Sequence, residues 1–221
     1  MPKRLALVHT VSSLVLPFKA LCDELIPGTD IFNIVDESLL QNCIRENRLS
    51  PITARRLVGH IISAEEAGAD IVMVTCSSVG PTVEMARPLV NIPVLRVDEP
   101  MANEAVKMGR RIGVAATLRT TLDPTASLIQ AKAKAAGTEI ELTPKLCEGA
   151  FDAVMAGDTA KHDTIVGTGV RELTQNVDVI VLAQASMARV VENLTESERQ
   201  TPILSSPRLA IEHLAEVLRS L

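Results

Sequence analysis

The 221-residue chain has no Trp, no Tyr and only three Phe. That scarcity excludes the aromatic platforms on which single-stranded nucleic acids stack. A formal net charge of −5 supplies no basic stripe to hold phosphates. No apolar run is long enough to span a bilayer, and no stretch reads as a signal peptide. The four cysteines, Cys22, Cys43, Cys76 and Cys147, show neither Cys-x-x-Cys spacing nor a disulfide framework, so they read as reduced thiols. His9, His60, His162 and His213 have no metal-ligand spacing with one another, with cysteine or with a carboxylate, and no metal is expected. Gly167-Thr168-Gly169 lacks the third glycine of a dinucleotide fingerprint, and neither a phosphate loop nor a Gly-x-Ser-x-Gly elbow is present. These absences leave a cytoplasmic protein with a small-molecule ligand, no nucleic-acid partner and no membrane partner. A homo-oligomer stays open.

What the chain has instead is aliphatic. Its interior must be filled by Val, Leu, Ile, Ala and Met, the diet of buried parallel strands. Strands are predicted over 4–9, 30–35, 71–75, 92–97, 111–116, 138–143, 178–183 and 202–205. Between them lie predicted helices near 13–26, from Ser50-Pro51 to Gly68, and over 121–136, 161–175 and 187–198. The first of these stops at Pro27-Gly28, and the third at Gly137. Ser50 is a hydroxyl at the N-cap, with Pro51 at the first helical position. Ser206-Pro207 opens a terminal helix whose Leu209, Leu214 and Leu218 are spaced for a buried stripe. Cys22 follows Phe18 by four residues and reads as a small buried hydrophobe. Strands alternating with helices make this an α/β chain with parallel sheets.

The chain also repeats itself. Ile71-Val72-Met73-Val74-Thr75 leads into Cys76-Ser77-Ser78, and Val179-Ile180-Val181-Leu182-Ala183 leads into Gln184-Ala185-Ser186. Asp70 precedes Cys76 by six positions, as Asp178 precedes Gln184. Lys3-Arg4 before the first strand is echoed by Arg110-Arg111, Thr29-Asp30-Ile31 by Thr138-Glu139-Ile140, and Ile92-Pro93-Val94-Leu95 by Thr201-Pro202-Ile203-Leu204. The offsets drift only between 107 and 109, and an ordered set of such matches implies internal duplication. The thiol is present in one copy and absent from the other.

In parallel sheets, ligands bind beyond the carboxyl ends of the strands. His9-Thr10, Cys76-Ser77-Ser78, Thr117 and Gln184-Ala185-Ser186 all fall at such ends, although Ser77, Ser78 and Ser186 could equally cap the helices that follow. A free thiol has a pKa near ~8.5, lowered at helix starts. Cys76 is therefore expected to carry a favoured thiolate. His9 ends the strand expected beside that of Cys76 and could tune the thiol or take its proton. Asp98-Glu99 reads as helix capping or hinge bonding at a crossover between the two copies.

The Val-Thr-Cys-Ser-Ser phrase, the repeated half, Ala115-Ala116-Thr117 with Thr120-Thr121, and Asp98-Glu99-Pro100-Met101 together resemble the aspartate/glutamate/hydantoin racemase superfamily. The resemblance covers nearly the whole chain. It implies two similar Rossmann-like α/β lobes, residues 1–98 with 206–221 and residues 99–205, with the active site in the cleft between them. It also implies catalysis without a cofactor on a small carboxylate, with one cysteine from each lobe. This chain departs from that pattern: the family's second Gly-Cys-Thr is replaced by Ala183-Gln184-Ala185. A glutamine amide has no accessible pKa for proton transfer. The scaffold then supports three chemistries: racemisation or isomerisation, one-sided decarboxylation of the arylmalonate decarboxylase type, and thiolate addition of the maleate isomerase type. A non-catalytic small-acid binding protein is the alternative from another class. The candidate catalytic residues are Cys76, His9 and Gln184. The candidate substrate-binding residues are Thr10, Ser77, Ser78, Thr117, Thr121, Ala185 and Ser186.

Overall fold

The aliphatic runs become parallel strands, and the two that precede Cys76 and Gln184 are buried along their whole length. The computed structural model describes residues 2–195 and 200–221. The chain divides into two units, Met1–Glu99 with Pro207–Leu221, and Pro100–Ser206. In the first, β1 (Arg4–His9), α1 (Val15–Leu25), β2 (Asp30–Val35), α2 (Glu37–Glu46), α3 (Pro51–Glu66), β3 (Ile71–Val74), α4 (Pro81–Ala86) and β4 (Val94–Arg96) follow in order. The second starts within α5 (Glu99–Met108) and continues through β5 (Arg111–Ala116), α6 (Arg119–Ala135), β6 (Glu141–Leu146), α7 (Ala150–Met155), α8 (Thr159–Thr174), β7 (Val179–Leu182) and β8 (Ile203–Ser205). The last helix, α9 (Ser206–Ser220), belongs to the first unit from Pro207 onward.

Among the described residues there are two four-stranded sheets, ordered β2-β1-β3-β4 and β6-β5-β7-β8, with every pairing parallel. The duplicated sequence is thus a duplicated topology. Its echoed aspartates clamp the amino ends of the strands, away from any strand-end chemistry. Asp70 accepts the Arg4 amide at 2.7 Å. Asp178 accepts the amides of Arg110 and Arg111 together with the Arg111 guanidinium, which holds its carboxyl down at about 2.

Each sheet packs its own core. In the first unit Leu57, Ile61 and Ala64 of α3 meet Ala6 and Val8 of β1 and Val72 and Val74 of β3. In the second, Val166, Val170 and Leu173 of α8 meet Ala115, Ile180 and Leu182. Cys22 is fully buried in α1, as its spacing from Phe18 suggests. Gly28, Gly68 and Gly137 all take positive φ where helices end.

Several predicted boundaries are corrected. The strand expected over 138–143 runs over Glu141–Leu146, because Thr138–Ile140 links α6 to the ladder that begins opposite Arg111. Pro144 is tolerated there because β6 is an edge strand. The helix expected over 187–198 is a 3-10 segment, Ala185–Asn193, which has no side-chain cap and carries adjacent β-branched Val190 and Val191. Its expected end at 196–198 lies outside the described residues. Ser50 precedes α3, but its hydroxyl contacts Thr53 Oγ1 at 3.1 Å and caps no amide. In α9 the fully buried stripe is Ala210, Ile211 and Leu214, while Leu209 and Leu218 are half-buried. Helices α2, α5 and α7 were not anticipated. The first of these is capped by Asp36, whose side chain accepts the Ser38 amide.

Candidate functional site

Cys76 follows β3 directly, at the carboxyl end of the first sheet, and begins the turn Ser77–Val79 that leads through Gly80 into α4. It is half-buried, whereas Cys22, Cys43 and Cys147 are buried. Burial pushes its thiol above the ordinary value. The Thr10 hydroxyl, the amides of Ser78 and Val79 and the Ser78 hydroxyl pull the other way. The expected net lowering at the helix start is therefore corrected: desolvation of the sulfur outweighs four donors. The Thr10 hydroxyl is buried and makes no hydrogen bond of ordinary geometry among the described residues, although it lies close enough to favour the thiolate. Thr10 and Ser78 thus belong to the thiol's immediate surroundings. Ser77 is buried beside them, with its carbonyl accepting the Gly80 amide at 3.1 Å.

His9 ends β1, which pairs with β3 as the sequence suggests. Its imidazole is fully buried, edge-on to Phe18 with ring centroids 5.6 Å apart. Nε2 lies 3.0 Å from Asn33 Oδ1 and Nδ1 lies 2.8 Å from Thr75 Oγ1. Burial lowers its pKa, opposed by the Asn33 hydrogen bond. With Nε2–H donating to Asn33 Oδ1, the neutral ring leaves Nδ1 as an acceptor facing the Thr75 hydroxyl, whose one proton is shared between it and the Val8 carbonyl at 3.2 Å. Both nitrogens are thus engaged by groups other than Cys76. Thr75 and Asn33, which hold the ring, were not read from the sequence. They come from neighbouring strands, at separations no local pattern reports.

At the carboxyl end of the second sheet, Thr117 and Gln184 form the counterpart of Thr10 and Cys76. The Thr117 amide donates to Gln184 Oε1 at 2.5 Å and its hydroxyl donates to the same oxygen at 2.9 Å. A backbone N–H can only donate, so the atom facing it must be the oxygen and the other corner of the amide must be NH2. Among the described residues that NH2 has no partner. Gln184, Ala185 and Ser186 are half-buried, Thr117 and Thr121 buried. Thr120, on the first turn of α6, has a buried hydroxyl with no partner among the described residues.

Asp98 stands immediately before α5. It is fully buried and paired with Arg96, the last residue of β4. The signal was available: an arginine closing an aliphatic strand, with an aspartate two residues on, places both on one face if the chain stays extended. Asp36 accepts from Ser38, Arg56 and His60 at the neighbouring strand end, which accounts for both Asp36 and His60 structurally. Glu37 accepts the Ser12 amide and fastens the loop after β1. Among the described residues no group of three or more His, Cys, Asp or Glu could hold a metal ion, and no helix is long and apolar enough to cross a membrane.

The model of the Asp/Glu/Hydantoin racemase family matches residues 12–214. No functionally curated protein matches the chain. Solved structures with a similar fold include a glutamate racemase from Bacillus anthracis, 19% identical with a TM-score of 0.77 over 99% of this chain and 82% of that one. An allantoin racemase from Klebsiella pneumoniae is 19% identical with a TM-score of 0.72, covering 99% of this chain and 88% of that one. An aspartate racemase from Picrophilus torridus is 13% identical with a TM-score of 0.70, covering 99% and 93%. At these identities the solved structures establish a shared fold.

Proposed function

Because the chain belongs to the Asp/Glu/Hydantoin racemase family, we propose that it is an enzyme that handles a small carboxylate with Cys76 as its one acid–base group, exchanging the α-proton on one face without net inversion. As thiolate, Cys76 takes the proton α to the carboxylate. The C–H bond breaks, an S–H bond forms, and the electron pair moves into the carboxylate as an enediolate. The thiol then returns a proton to the same face. Inversion would need an acid on the opposite face, and the Gln184 amide cannot supply one. Its role in this reading is to donate from NH2 to a substrate oxygen, with Thr10, Ser77, Ser78, Thr117, Thr121 and Ser186 as further polar groups at the two strand ends.

The observation that supports this reading best is the fixed orientation of Gln184, whose oxygen is held by two donors of Thr117. The site that carries a thiol in two-cysteine relatives is here a hydrogen-bond donor without a titrating proton. His9 is assigned to support of the β1–β3 strand ends, since both of its nitrogens are occupied.

The raised pKa of Cys76 also favours a second reading, one-sided decarboxylation. There a carboxylate leaves as CO2 and its bonding pair forms the enediolate. The resting thiol delivers the proton and regains one from water. Chiral chromatography and mass spectrometry of amino acids, hydantoins, malonates and maleate, with wild type and Gln184→Cys, test both readings. The expected result is no racemisation of free aspartate or glutamate by the wild type, with racemisation gained in Gln184→Cys. Rapid racemisation by the wild type would overturn the single-base reading. A binding protein would show carboxylate protection of Cys76 from alkylation with no turnover of any compound.

A further inference from the structure

Arg96 is a cation 5% exposed, paired through Nε and Nη2 with the two oxygens of a fully buried Asp98 at 3.0 and 2.9 Å. It lies opposite Val74 in the β3–β4 ladder, next to the strand that delivers Cys76. Its guanidinium is packed flat against Gly80. A Cβ on Gly80 would come within 2.7 Å of Nη2, 2.9 Å of Cζ and 3.0 Å of Nε. Gly80 has φ −50, a conformation open to any residue, so glycine is needed there for space and not for backbone freedom. Gly80 closes the turn whose Ser78 and Val79 amides point at the Cys76 sulfur, with its own amide donating to the Ser77 carbonyl at 3.1 Å.

We propose that Arg96 is a positioning residue for Cys76: Asp98 locks the guanidinium, the guanidinium is the plate on which Gly80 rests, and the plate sets where the Ser78 and Val79 amides meet the sulfur. This rests on the reading of Cys76 as the working thiol. A buried ion pair contributes little net stability compared with apolar residues of the same shape. What the pair offers at the foot of the thiol's turn is a rigid planar surface, which lysine cannot reproduce.

The test is the pH profile of Cys76 alkylation, resolved by mass spectrometry in the full-length chain, for three variants. Arg96→Lys keeps a cation facing Asp98 and loses the plate. Gly80→Ala pushes on the plate from the other side. The double variant Arg96→Met with Asp98→Leu removes both charges together, and if it does not fold the two single variants decide. The expected result is alkylation of Cys76 slowed about tenfold near pH 8, a midpoint about one pH unit higher, with turnover losing kcat more than KM. Folded variants whose profile superimposes on that of the wild type would overturn the proposal. Failure of the underlying reading looks different: Cys76→Ala would keep full turnover, whatever Arg96 does to the alkylation profile.

Discussion

Thr117 donates both its backbone N–H and its hydroxyl to Gln184 Oε1, at 2.5 and 2.9 Å. The same two positions in the first sheet are Thr10 and Cys76, where the threonine hydroxyl favours the thiolate but makes no hydrogen bond of ordinary geometry among the described residues. A strand-end threonine thus stands at the echoed position in each sheet, and in the second it orients the side chain that follows the third strand. In one copy it meets a thiol, in the other an amide.

Gln184→Glu replaces the donating NH2 with a second acceptor. Carboxylate binding is expected to weaken at least tenfold, about 1.4 kcal/mol, read as KM or as protection of Cys76 from alkylation. Thr117→Val keeps the backbone donor and loses the hydroxyl, so its effect should be smaller, about 1 kcal/mol. Unchanged binding in Gln184→Glu would remove Gln184 from the ligand site.

The four thiols should separate cleanly by reactivity. Burial pushes Cys22 and Cys147 up to about 11 and Cys43 up to about 12. Cys76 is also raised but is half-buried and faces four donors. Site-resolved alkylation from pH 7 to 10 should label Cys76 first, with a midpoint above the ~8.5 of a free thiol. The other three should react only in denaturant. A Cys76 midpoint below that of free cysteine would mean that the amides outweigh burial.

His9 should make the protein sensitive to mild acid. Its folded pKa lies below the unfolded value of about 6.5, so below that pH the unfolded chain binds a proton that the folded one does not. Stability is therefore complete above about pH 6.5 and falls as pH drops from there toward the folded pKa. Urea midpoints at pH 7.5 and 5.5 measure this directly. The wild type should lose more stability between the two than His9→Gln does, and equal losses would show that His9 titrates as freely in the fold as in the unfolded chain.

The fold was legible where one element carried its own signal. Ile71–Val74 and Val179–Leu182 are continuous aliphatic runs because they are central strands buried on both faces. Helix α2 was not, since its first turn is Asp36-Glu37-Ser38 and its buried residues are only Leu39, Leu40 and Cys43. The candidate residues were legible as strand ends, because parallel topology brings the carboxyl ends of each sheet's strands to one edge of that sheet. Their chemistry was not. The partners of His9 lie 24 and 66 residues away, and the burial that raises Cys76 is tertiary, whereas the amides that oppose it are its next neighbours.

Solvent deuterium tests one-faced chemistry through Cys76 most directly. Single enantiomers of small α-substituted carboxylates are incubated in heavy water with the wild type and with Cys76→Ala, and deuterium content and configuration are read together by mass spectrometry and chiral chromatography. Deuterium should enter the α-carbon with configuration retained, and entry should vanish in Cys76→Ala. Deuterium arriving with rapid inversion, or exchange that survives the loss of Cys76, would contradict it.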